Sequence, residues 1–173
     1  MVSFTVHNIA SFMAKLFSSD TFDSFLLKEA VIRMAVTYSI DGQLNKEFYE
    51  DGVSDVKNDP EHRFFAYQPW SEARLLCREI IKGKKAPSFL RLTLQLKPQY
   101  VSPTLQKAKD LQNGTLEQIS ALILNVRLDS TGLHLITGVA ANTFLMDKSP
   151  DRIWDRTVER FLASKEIDFV TES

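Results

Sequence analysis

The chain has 173 residues, 44% of them hydrophobic, and a formal net charge of -1 at pH 7. That is one domain's worth of sequence, long enough to bury a core without disulfides or a structural metal, and its composition excludes a wholly disordered chain. The near-zero charge argues against an obligate polyanion binder at the level of the whole surface, so any basic patch has to be sought locally.

Met1-Val2-Ser3-Phe4-Thr5 lacks a basic n-region and a long apolar run, and no stretch reaches the length of a membrane span. The expectation is a cytoplasmic protein with no membrane partner. The one cysteine, Cys77, forms no internal disulfide, which fits a reducing compartment.

Val2, Phe4 and Val6 alternate with small polar residues, predicting a short strand before a helix capped by Asn8 and striped by Ile9, Phe12, Met13, Leu16 and Phe17. Phe22 to Leu27 reads as extended, with Lys28-Glu29 as a short reversal. Ala30 to Ile40 then reads as a long strand with Ile32, Met34, Val36, Tyr38 and Ile40 inward. Asp41-Gly42 is the dipeptide of a tight hairpin turn, which would return Gln43 to Tyr49 as a partner strand. From Glu50 to Glu61 acids outnumber the lone Lys57, and the segment reads as a mobile acidic loop. Its carboxylates lack the spacing of a calcium loop.

Arg63 to Gln68 reads as an aromatic strand, and Pro69-Trp70-Ser71-Glu72 as the start of a helix that buries Leu75, Leu76, Ile80 and Ile81 and ends at Gly83. Leu90, Leu92, Leu94 and Leu96 alternate with Arg91, Thr93, Gln95 and Lys97, the pattern of a strand with one wet face. Ser102-Pro103 suggests a short helix carrying Leu105, Ala108 and Leu111. Next comes a hairpin: Leu122, Leu124, Val126 and Leu128 on one arm, Leu133, Leu135, Thr137 and Val139 on the other, joined through Asp129-Ser130-Thr131-Gly132. Ser149-Pro150-Asp151 starts a helix of about 150–164 whose apolar face of Ile153, Trp154, Val158, Phe161 and Leu162 should cover the hairpin's leucines. Glu166 to Ser173 reads as a loose extension. The expected whole is a single α+β domain over 1–173, a largely antiparallel sheet of about five to seven strands with two or three helices packed on one face.

Phe22-Asp23-Ser24-Phe25-Leu26-Leu27, Ile40-Asp41-Gly42-Gln43-Leu44-Asn45-Lys46, Ile81-Lys82-Gly83-Lys84, Leu124-Asn125-Val126-Arg127, Thr137-Gly138-Val139, Asp147-Lys148-Ser149 and Ile153-Trp154-Asp155 resemble a small uncharacterised protein family of anaerobic Gram-positive bacteria. The resemblance spans nearly the full length. It implies a bacterial cytoplasmic origin and a single full-length domain, and it implies no activity and no catalytic residue.

Chemistry is sparse. From Arg63 to Lys97 the basic residues Arg63, Arg74, Arg78, Lys82, Lys84, Lys85, Arg91 and Lys97 face only Glu72 and Glu79. Arg74, Arg78, Lys82, Lys84 and Lys85, with Trp70 as a stacking platform near Tyr67, are therefore the candidate anion or nucleic-acid site. The plainer reading is that these cations occupy the solvated sides of a helix and a strand. Gly83-Lys84-Lys85 follows a helix rather than preceding one, which excludes a phosphate loop. Cys77, His7, His62 and His134 share no motif, and Cys77 reads as packing within a helix. No catalytic residue, metal ligand or cofactor is assigned. Asn125, Arg127, His134 and Lys148 share the polar side of the hairpin, where Gly138 would allow close approach, and they read as the outer face of an antiparallel sheet. Arg152 with Asp155 and Arg156 with Glu159 read as surface ion pairs. The expected function is a non-enzymatic binding or adaptor domain, its partner unknown and either a protein or a nucleic acid. The alternative is anion or nucleic-acid binding through the 74–97 segment. An enzyme would instead need a deep pocket holding a perturbed acid or base.

Overall fold

The computed structural model describes residues 1–50, 65–109 and 111–172. The strands are β1 (Ser3–Val6), β2 (Phe25–Arg33), β3 (Thr37–Asp41), β4 (Gln68–Pro69), β5 (Phe89–Leu96), β6 (Ile119–Asp129), β7 (Gly132–Ala141) and β8 (Phe169–Glu172). The helices are α1 (Ile9–Ser18), α2 (Lys46–Glu50), α3 (Trp70–Ile81), α4 (Pro98–Gln106), α5 (Thr115–Gln118) and α6 (Ser149–Ser164). The α+β class holds. The eight strands and, among the described residues, six helices exceed the expected numbers because short pieces such as β4, β8 and α5 leave almost no periodicity to read.

All strands run antiparallel in the order β3-β2-β5-β6-β7-β1-β8, with β4 pairing β2 beside Leu26 and Leu27. The β6–β7 hairpin is the centre, with Leu124 opposite Thr137 and Val126 opposite Leu135. Its leucine face is buried throughout, as the period of two requires. Phe12 and Leu16 of α1, Ala73 and Cys77 of α3, Leu105 of α4, and Trp154, Val158 and Leu162 of α6 all join the core on that side. The other side carries a row running Thr5, His134, Arg127, Arg91, Val31 and Ser39 across six strands.

Helix α6 is fixed at both ends. Its start is held by Asp147, whose Oδ1 accepts from the Ser149 N–H at 2.9 Å. At its end the Lys15 ammonium donates to the carbonyls of Lys165 at 2.7 Å and Glu166 at 3.0 Å, where unsatisfied carbonyls favour a cation. In between, the Trp154 indole donates to the Ile123 carbonyl of β6 at 2.8 Å.

Five expectations are corrected. The chain does not reverse at Lys28-Glu29: β2 continues through that point with a bulge, and the turn into β3 lies at Met34–Val36. Gly42 is not a hairpin turn but a close approach, since a Cβ there would lie 1.8 Å from the Leu27 carbonyl oxygen. Its N–H donates to Lys28, its carbonyl accepts from Gln68, and Lys46–Glu50 beyond it is helical. In α3 the small residues Ala73 and Cys77 face inward beside Trp70, letting the helix sit close to the core, while Leu75 and Leu76 are exposed. Lys97 is buried, with its Nζ 5.5 Å from the Phe65 ring centre, and the C-terminal segment forms β8 against β1. The acidic segment lies outside the described residues from position 51 onward, as do Arg63 and His62.

Candidate functional site

The 74–97 cations do not converge. Trp70 is fully buried and donates its indole N–H to the Leu16 carbonyl at 3.0 Å, so it presents no face for stacking. Arg74 makes a two-pronged pair with Asp23, at 3.0 Å and 3.3 Å. Arg91 pairs with Glu29 at 3.1 Å on the opposite side of the sheet. Arg78, Lys82, Lys84 and Lys85 remain exposed at the end of α3 and in the loop beyond it.

The polar side of the hairpin is likewise satisfied internally. Arg127 pairs with Asp129 at 2.9 Å, Thr93 donates to Asn125 at 3.2 Å, and the His134 ring lies between the hydroxyls of Thr5 and Thr131 at 3.1 Å and 3.0 Å. The Thr131 hydroxyl and N–H hold the Asp129 carboxyl below its usual range, with Arg127 adding to the effect. Lys148 sits apart from them, before α6. Cys77 is buried, and desolvation pushes its thiol up to about 12, which keeps it from acting as a thiolate nucleophile. No cluster of His, Cys, Asp or Glu among the described residues is arranged to hold a metal ion.

A different set of cations does converge. A groove of about 530 Å³ runs between α4 and α6, with Lys107 and Lys109 at its α4 side and Arg152, Arg156 and Arg160 at its α6 side. Thr104, Ala108, Ser149, Ile153 and Thr157 complete it, and no carboxylate, imidazole or thiol is among these lining residues. The helix explains the arrangement. Arginines at i, i+4 and i+8 share one face and span about 12 Å of axis. Two acids of α6 are engaged away from the groove: Thr137 donates its hydroxyl to Asp155 Oδ1, and the Met1 ammonium lies 3.4 Å from Asp155 and 3.9 Å from Asp151. The ion pairs expected from the sequence, Arg152–Asp155 and Arg156–Glu159, are not formed. Arg152 donates instead to the Ser149 hydroxyl at 3.3 Å.

Five like charges in one groove repel each other, and like-charged pairs at i,i+4 weaken a helix by a few tenths of a kcal/mol each. An anion bound between α4 and α6 removes that repulsion. Asp147 fixes the α6 end of the groove, because its carboxyl is held below the usual range chiefly by the Ser149 backbone N–H and also by the Ser149 and Thr115 hydroxyls. The four-residue spacing of Arg152, Arg156 and Arg160 was visible in the sequence. What masked it was an acid three residues after each of the first two arginines.

The chain belongs to a family of unknown function (DUF5721), matched over residues 15–170. No curated protein and no solved structure matches it. None of the described helices is long and apolar enough to cross a membrane.

Proposed function

We propose that this member of the DUF5721 family is a non-enzymatic binding domain of the bacterial cytoplasm, at home in an anaerobic Gram-positive cell, and that its ligand is an anion held between α4 and α6. The observation that carries this reading is the convergence of Lys107, Lys109, Arg152, Arg156 and Arg160 on one groove. Its lining supports binding over catalysis: cations and hydroxyls hold an anion, while a general base or nucleophile would call for side chains of another kind. The α4–α6 groove offers an anion or a nucleic acid a more concentrated basic surface than the 74–97 segment does. Arg78, Lys82, Lys84 and Lys85 supply an exposed second basic surface.

Thermal unfolding with and without tripolyphosphate at low salt tests this. A ligand that binds only the folded state raises stability by about 2.7 kcal/mol at a hundred times its dissociation constant. The wild-type midpoint should rise with tripolyphosphate, and that of Arg156→Glu/Arg160→Glu should not. Equal shifts in both proteins, or none in either, would contradict the assignment.

A further inference from the structure

Building on the anion-binding reading, we infer that the α4–α6 groove takes a single-stranded nucleic acid, lying along α6 with phosphates on the arginine rim and bases toward Ile153 and Ala108. Three features of the groove carry this. First, its cations are drawn out in a line rather than gathered around a point. Arg152, Arg156 and Arg160 are each separated by about 6 Å of helix rise, comparable with the separation of successive phosphates on an extended strand. A single compact anion would meet one or two of them.

Second, the groove is mostly polar but includes two apolar residues. Ile153 and Ala108 are half-buried between the basic rims, and the Thr157 hydroxyl is engaged by the Ile153 carbonyl at 2.7 Å. An inorganic polyphosphate has no apolar part to place there, whereas a nucleotide chain does. Third, Tyr100 stands on the same stripe of α4 as Thr104 and Lys107, at i, i+4 and i+7, and is 45% exposed. It is not among the residues that line the groove, but one turn before Thr104 it offers an exposed aromatic surface for stacking.

The test is fluorescence anisotropy of dye-labelled oligouridylate at several salt concentrations, with tripolyphosphate and a DNA duplex as unlabelled competitors. Three to five phosphate contacts predict that log affinity falls against log salt with a slope of about two to three and a half. Arg156→Gln/Arg160→Gln should abolish binding. Tyr100→Ala should weaken the oligonucleotide about tenfold, the range of one lost stack, and leave tripolyphosphate unaffected. Competition by tripolyphosphate at least as strong as by unlabelled oligouridylate would overturn the nucleic-acid inference while leaving the anion groove in place. So would preference for the duplex, or an unchanged affinity in Tyr100→Ala. Binding of neither tripolyphosphate nor oligonucleotide would remove both readings.

Discussion

The two basic regions of this molecule are alike as sequence and opposite as surface. Between Arg74 and Lys97 the cations are scattered by the fold: Arg74 is paired with Asp23, Arg91 is on the open side of the sheet with Glu29, Lys97 is buried beside Phe65, and the rest are exposed at the α3 end. Lys107 and Lys109 are far along the chain from Arg152, Arg156 and Arg160, yet the turn after α4 and one face of α6 bring all five to one groove. Charge density along a sequence therefore says little about charge density in space. What matters is whether the spacing matches the period of the element and whether a second element supplies the facing wall.

The largest effect that bears on this contrast concerns Trp70. As a core side chain bonded to the Leu16 carbonyl, its replacement in Trp70→Ala should cost about 3–5 kcal/mol in chemical denaturation. A variant of unchanged stability that has lost oligonucleotide binding would restore it as a stacking platform and reverse the comparison.

Next in size is charge reversal carried out at both regions. Arg156→Glu/Arg160→Glu should lower tripolyphosphate affinity about a hundredfold, since two rim cations become repulsive. Lys82→Glu/Lys84→Glu/Lys85→Glu should change it by about twofold or less, through the weaker long-range field alone. Calorimetric titration of both variants distinguishes the regions, and the opposite ranking would return the site to α3.

A smaller effect concerns the support of the groove. The Asp147 carboxyl has its folded pKa lowered, so its contribution is present above the unfolded value of about 3.9 and is lost as pH falls through the folded value. Thermal midpoints measured from pH 6 downward should therefore fall less steeply below about pH 4 in Asp147→Asn than in the wild type. Identical acid profiles would mean that the carboxylate does not hold the start of α6.

The smallest effect is also the most particular to the groove. Removing one like charge from the arginine ladder in Arg156→Gln should stabilise the ligand-free protein by about 0.2–0.5 kcal/mol while weakening anion binding. Loss of stability in that variant would show that Arg156 makes a structural contact rather than enduring repulsion.

The hairpin and the leucine strand were legible because period-two alternation is set by one buried face, and α6 because Trp154, Val158 and Leu162 repeat at helical spacing. Gly42 misled for a physical reason: Asp-Gly is typical of turns, but the same missing Cβ also permits close passage over the Leu27 carbonyl. In α3, hydrophobicity pointed to Leu75 and Leu76, whereas helix packing favoured the smaller Ala73 and Cys77 against the core. β8 was hidden because only Phe169 of its four residues leans on the core. The groove was not legible because the cations facing Arg152, Arg156 and Arg160 are Lys107 and Lys109, which lie in the turn after α4, far away in sequence.

The central claim is most directly tested by following backbone amide resonances of the wild-type protein during titration with tripolyphosphate. The account predicts saturable shifts concentrated at Thr104–Lys109 and Arg152–Arg160, with Arg78 to Lys85 scarcely moved. Shifts concentrated at the end of α3, or spread over the surface without saturation, would contradict it.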